Sequence, residues 1–147
     1  MHKQVHRYAD IRAKILKGVD TLADPIKETL SPKGRNVLFE NERGDIVSTN
    51  DGVTIAKNIS VADPIENAII SIITGAAFSS TTVAGDGTST SVLYSSILIK
   101  EGFKLIENGW NQMEVKRKFE QIRDTILDLL SKRVIKIRGD KELRQIA

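Results

Sequence analysis

Apolar residues recur at helical spacing in segment after segment of this chain, and that rhythm limits what it can fold into more than any single motif does. Ile11, Ile15, Val19, Leu22, Ile26 and Leu30 fall in steps of three and four, which places them on one helical stripe. Asp10 stands where a helix cap belongs. Pro25 interrupts the stripe, so a kink or a lost hydrogen bond is expected there. Asp63-Pro64 pairs a cap with a proline at the first helical position, and Ile65, Ala68, Ile69, Ile72, Ile73 and Ala76 carry that helix onward. Val92, Leu93, Ile97, Leu98, Ile99, Phe103 and Ile106 mark another, from about Thr88 to Gly109. Asn111 caps a fourth, bearing Val115, Phe119, Ile122, Ile126, Leu129 and Leu130. Only residues 36–49 break the rhythm: "NVLF" (36–39) and "DIVST" (45–49) flank the polar turn "ENERG" and read as a hairpin. "NDG" (50–52) then turns into a short helix over 53–59, and "GDKELRQIA" (139–147) reads as the start of one more. The fold class predicted is mainly α, multihelical, with a small β-hairpin.

Composition narrows the function classes. A length of 147 residues fits one domain with a core of its own, and 40% hydrophobic with 28% charged residues are the proportions of a globular chain. No uninterrupted apolar run reaches the about 18 residues of a membrane-spanning helix, and "MHKQVHRYAD" has no apolar centre of the kind a secretory signal needs. Cysteine is absent, which removes disulfides, thiolate metal sites and cysteine nucleophiles, and fits a reducing compartment. Lys and Arg gather at 114–120 and 131–144, but acids are interleaved with them and the net charge is only +3. Aromatics, at 5%, are not spaced as a base-stacking platform. Neither a nucleic-acid nor a membrane partner is expected.

The stretch "VAGDGTSTSV" (83–92) carries the chemistry that remains. Asp86 sits between Gly85 and Gly87 at the mouth of a helix, with Thr88, Ser89 and Thr90 just behind. A helix start offers unpaired N–H groups and partial positive charge, glycines let the backbone approach a ligand closely, and hydroxyls add donors, a combination that suits phosphate. A carboxylate facing a polyphosphate repels it unless a hard cation bridges the two, so Asp86 makes chemical sense as a Mg2+ ligand. A simple helix cap is the competing reading of Asp86 or Thr88. Asp51, in the "NDG" turn, stands in a similar setting, either as a partner acid around the same polyphosphate or as an ordinary turn aspartate. No Walker-type or dinucleotide glycine signature is present, and both histidines, His2 and His6, lie in the leader.

"TLSPKGRNVLF" (29–39), "STNDGVTIAKNI" (48–59), "AGDGTSTSVL" (84–93) and "ENGWNQMEVKR" (107–117) resemble, in order and spacing, the N-terminal segment of GroEL-type (group I) chaperonins. The resemblance implies the helical equatorial domain that binds ATP and holds a ring of subunits together. Carried over by position, it implies that Thr29, Leu30, Ser31 and Pro32 line the phosphate side of the pocket, with Asn50 at a nucleotide-contacting position. It implies that Asp86 ligates Mg2+, that Gly87, Thr88, Ser89 and Thr90 surround the phosphates, and that Asp51 lies beside the γ-phosphate and its attacking water. ATP and Mg2+ are the implied cofactors, with K+ a further candidate.

Two departures bear on affinity. Ser31 stands where the family has glycine, and Asn50 where it has lysine, which removes a positive charge beside a polyanion. Both point to a divergent member with weakened nucleotide affinity. The resemblance divides the chain into the first half of an equatorial domain (1–134) and the start of an intermediate domain (135–147). It implies a cytoplasmic or organelle-matrix ring of like subunits. A co-chaperonin and unfolded proteins would be met through domains beyond this segment, as would a second hydrolytic aspartate, so hydrolysis by these residues alone is not expected. The alternative is a stand-alone truncated relative that binds chaperonin ring subunits without enzymatic activity.

Overall fold

The structure, a computed structural model, describes residues 7–30, 33–41, 43–135, 139 and 144. Its elements follow in chain order as α1 (Tyr8–Thr29), β1 (Val37–Glu40), β2 (Ile46–Thr49), α2 (Gly52–Asn58), α3 (Pro64–Ala84), α4 (Thr88–Glu107) and α5 (Gln112–Arg133). The fold is mainly α with one small antiparallel hairpin, as the periodicity predicts. Two compact units divide it, Met1–Glu101 and Gly102–Ala147.

In the first unit the α1 stripe becomes the core. Val19, Leu22 and Ile26 are fully buried, whereas Leu30, past the helix end, is 46% exposed. Burying side chains of this size contributes about 1.5–3 kcal/mol each. Arg7, not Asp10, occupies the N-cap position of α1, and Asp10 falls in the first turn, where its charge still suits the N-terminal end. The helix continues through Pro25 to Thr29. Pro25 is flanked by the buried Leu22, Ala23 and Ile26, whose packing offsets the cost of the proline.

α3 is apolar most of the way round, so its spacing alone selects no buried face. Glu66, Ile70, Ile73 and Ala77 are its buried residues and Ile69 packs against them, while Ile72 is 67% exposed. Polar anchors set this rotation. Lys14 donates to Asp63 at 2.5 Å and Lys17 to Glu66 at 2.9 Å, two rungs that tie α1 to the first turn of α3. Between them the helices touch closely: a Cβ on Gly18 would stand 2.7 Å from the Glu66 carbonyl oxygen. Among the described residues α3 alone is long and apolar enough, by length and mean hydropathy, to cross a membrane. Here its buried face joins the core against α1, where Ile55 and Ala56 of α2 and Val92 of α4 complete the cluster.

The hairpin pairs Val37 with Thr49 and Glu40 with Ile46. Val37 packs against the core, and Leu38 and Ile46 on the opposite face are exposed. Its turn is closed by Asn41, whose side-chain oxygen accepts from the backbone N–H groups of Arg43 and Asp45.

In the second unit α4 ends in paired hydrogen bonds, Trp110 N–H to the Leu105 carbonyl at 3.1 Å and Gly109 N–H to the Ile106 carbonyl at 3.0 Å, with Gly109 in the left-handed region. Asn111 then caps α5 as predicted, accepting from the Met113 N–H. Val115 is buried and Phe119 lies against Gly102, but Ile122, Ile126, Leu129 and Leu130 are all at least half exposed. The helix anticipated over 139–147 lies largely outside the described residues.

Candidate functional site

Both glycine turns singled out in the sequence belong to the first unit, and the structure brings them together through one pair. Gly52, the first residue of α2, is buried, and a Cβ placed on it would collide with the Ser89 hydroxyl and stand 3.2 Å from Ser89 Cβ. Gly52 does not have a positive φ, so what it supplies is space. The start of α2 can lie against the first turn of α4 only because no side chain intervenes. Gly52 and Ser89 are thus neighbours although far apart in sequence.

Asp51 is the N-cap of α2. Its carboxylate accepts from the Thr54 hydroxyl at 2.5 Å, the Thr54 N–H at 2.9 Å and the Val53 N–H at 3.3 Å. The Thr54 hydroxyl above all, with the two backbone bonds, holds the Asp51 carboxyl below its ordinary range, so the group is anionic at neutral pH. Its own N–H donates to the Thr49 hydroxyl at 3.1 Å, which fixes the turn to the end of β2. Asn50 just before it is exposed.

Asp86 is placed otherwise. α3 ends on Gly85, with φ of 77°, and Gly87 has φ of 99°, so the chain reverses within three residues in a conformation that side chains disfavour. Asp86 is exposed, and the Gly87 N–H donates to its Oδ1 at 2.6 Å. The Ser91 N–H closes the first turn of α4 on the Gly87 carbonyl, which leaves the N–H groups of Thr88, Ser89 and Thr90 without partners in their own helix. Thr90 is exposed and Ser89 half-buried, whereas Thr88 is buried with its hydroxyl paired to that of Thr81 on α3.

Among the other residues predicted for the site, Thr29 turns its hydroxyl back to the Ile26 carbonyl at 2.7 Å, and Leu30 is exposed at the end of α1. The structure records no hydrogen bond from either to the two turns; Ser31 and Pro32 lie outside the described residues. Gly52, Thr54 and Thr81 are the site neighbours that sequence reading passes over. Only Gly52 leaves a trace, as a glycine at a helix start where no left-handed backbone requires one.

No group of three or more His, Cys, Asp or Glu side chains forms a metal cage among the described residues. Mg2+ does not require one, because it keeps waters and is usually held by one or two carboxylates plus substrate phosphates. Asp86, exposed beside unpaired helix-terminal N–H groups, fits that pattern.

A multihelical fold with one small hairpin is what the resemblance at 29–39, 48–59, 84–93 and 107–117 implies, and comparison with known proteins supports the same family. A sequence model of the TCP-1/cpn60 chaperonin family matches residues 22–147, and the chain belongs to that family. Over all 147 residues it is 37% identical to the Probable chaperonin-like protein PrmG of Gordonia sp. (strain TY-5). The chain spans 38% of the length of that relative.

Proposed function

We propose that this chain supplies the ATP-binding part of a chaperonin ring subunit, within an assembly that assists ATP-dependent protein folding. The observation that supports the reading is the Gly52–Ser89 contact, which joins the start of α2, capped by the anionic Asp51, to the first turn of the 20-residue α4. Family membership supplies the rest of the support.

In this reading the N–H groups at the start of α4 and the hydroxyls of Ser89 and Thr90 face the phosphates, aided by the positive end of the helix. Asp86 would hold Mg2+, which when bound neutralises part of the phosphate charge. Asp51, kept ionised by Thr54 and the α2 backbone, is a poor proton acceptor at neutral pH and suits fixing a water by hydrogen bonding. Thr29, Leu30, Ser31 and Pro32 would close the phosphate side, and Asn50 would leave the pocket one positive charge short. Like subunits forming a ring in the cytoplasm or an organelle matrix belong to the same proposal.

The test is calorimetry of ATP binding with and without Mg2+, for the native chain and Asp86→Asn. The substitution is expected to weaken Mg-ATP binding by tenfold or more, about 1.4 kcal/mol per decade, and to leave metal-free binding equal or slightly better, because a repulsive charge is gone. An equal loss with and without Mg2+ would rule out the metal-ligand role.

A further inference from the structure

Position alone makes Thr88 a phosphate donor, because it is the first hydroxyl of the helix that opens on the turn. Its surroundings say otherwise. Thr88 is only 3% exposed, and its hydroxyl meets the hydroxyl of Thr81, one turn from the end of α3. The Thr81 hydroxyl in turn donates to the Ala77 carbonyl at 3.3 Å. A threonine hydroxyl carries one proton and two lone pairs. With the Thr81 proton directed to Ala77, the pair closes with Thr88 donating to Thr81. The Thr88 side chain then has only lone pairs left, and an ionised phosphate oxygen, itself an acceptor, gains nothing from them.

We propose that Thr81 and Thr88 form a clasp that positions the Gly85-Asp86-Gly87 turn. Thr88 acts through Thr81 and not by touching phosphate. The clasp joins the last full turn of α3 to the first residue of α4, so it fixes the two ends of the reversal that carries Asp86. The Gly87 side of that reversal is tight as well, since a Cβ there would stand 3.3 Å from the Ser80 hydroxyl. Ser89 and Thr90, half-buried and exposed, are the side-chain donors left for a ligand. The role in positioning rests on the nucleotide-site reading above; the hydrogen bond itself does not.

The test is a double-substitution cycle on the 147-residue chain with Thr81→Val and Thr88→Val, which keep the shape and remove the hydroxyl. Unfolding by denaturant is followed without ligand, and Mg-ATP affinity is measured by calorimetry where every variant is folded. Each single substitution is expected to lower the folding equilibrium constant by roughly fivefold, the pair by little more than one alone, and Thr88→Ser to restore most of the loss. Both valine variants are expected to weaken Mg-ATP binding by the same factor, whereas Ser89→Ala weakens binding without moving the unfolding midpoint. Additive or absent effects on unfolding would overturn the clasp. Lost stability with unchanged affinity would overturn the positioning role. Weakened binding in Thr88→Val alone, with unfolding unchanged, would return Thr88 to the phosphate. Failure of the native chain to bind Mg-ATP would sink the nucleotide reading, while the unfolding cycle would still decide the hydrogen bond.

Discussion

The two Asp-Gly turns of the first unit look alike in sequence and are used in opposite ways. Asp51 faces its own helix: three hydrogen bonds from Val53 and Thr54 occupy its carboxylate, and the glycine after it is buried against another helix. Asp86 faces outward: among the described residues a single N–H, from Gly87, reaches it, and the glycines around it serve backbone reversal, with φ of 77° and 99°. One turn stabilises the fold and holds a charge still. The other gives the fold little and leaves a carboxylate open to a cation. An Asp-Gly pair at a helix start is therefore no signature in itself; what distinguishes the two is which side of the carboxylate the backbone occupies.

Substitutions can break this contrast, and the largest effect is expected at Gly52. Gly52→Ala places a methyl where the Ser89 hydroxyl sits, and even with that hydroxyl rotated away the Cβ atoms would stand 3.2 Å apart. A loss of about 2 kcal/mol in unfolding free energy is expected, measurable by urea titration, with partial recovery when Ser89→Gly is added. An unaffected Gly52→Ala would mean that the two turns are not in contact.

Next comes the pair of aspartates themselves. Asp51→Ala removes a helix cap and should cost about 1 kcal/mol, whereas Asp86→Ala should stay within about 0.5 kcal/mol of the native chain. Equal costs would erase the distinction.

The smallest effect is in pH dependence. Asp51 has its carboxyl lowered by Thr54, and Asp63 has its carboxyl lowered to about 2 by the Lys14 ammonium and the backbone of α3. A carboxyl depressed in the folded state stabilises above its unfolded pKa, and that contribution is lost as pH falls through the folded value. Stability should therefore decline from about pH 4 downward. Asp51→Asn and Asp63→Asn should each flatten that decline. The readout is the urea midpoint as a function of pH.

How much of this was legible beforehand depends on how polar each segment is. The α1 stripe from Ile15 to Ile26 could be read because the opposite face of that helix is charged, so periodicity chooses one side. α3 is apolar most of the way round, and its spacing chooses none; Asp63 and Glu66, pairing with Lys14 and Lys17, turned it to bury Ile70 and Ala77 instead of Ala68 and Ile72. Asn111 and Asp63 were readable as caps because a cap acts within three residues. The Gly52–Ser89 and Thr81–Thr88 contacts were not, because each depends on which helices meet and not on which residues follow one another. Thr81 in particular stands in the run "SSTTV" (79–83), where nothing local marks it out from its neighbours.

The central claim is that Asp86, and not Asp51, meets the cation of a bound nucleotide. The most direct measurement is nuclear magnetic resonance of the isotope-labelled chain with ATP and Mn2+ in place of Mg2+, following amide signals broadened by the paramagnetic ion. The account predicts strongest broadening at Asp86, Gly87 and Thr88, lost in Asp86→Asn and retained in Asp51→Asn. Broadening that survives Asp86→Asn unchanged, or that centres on Asp51 and Thr54, would contradict it.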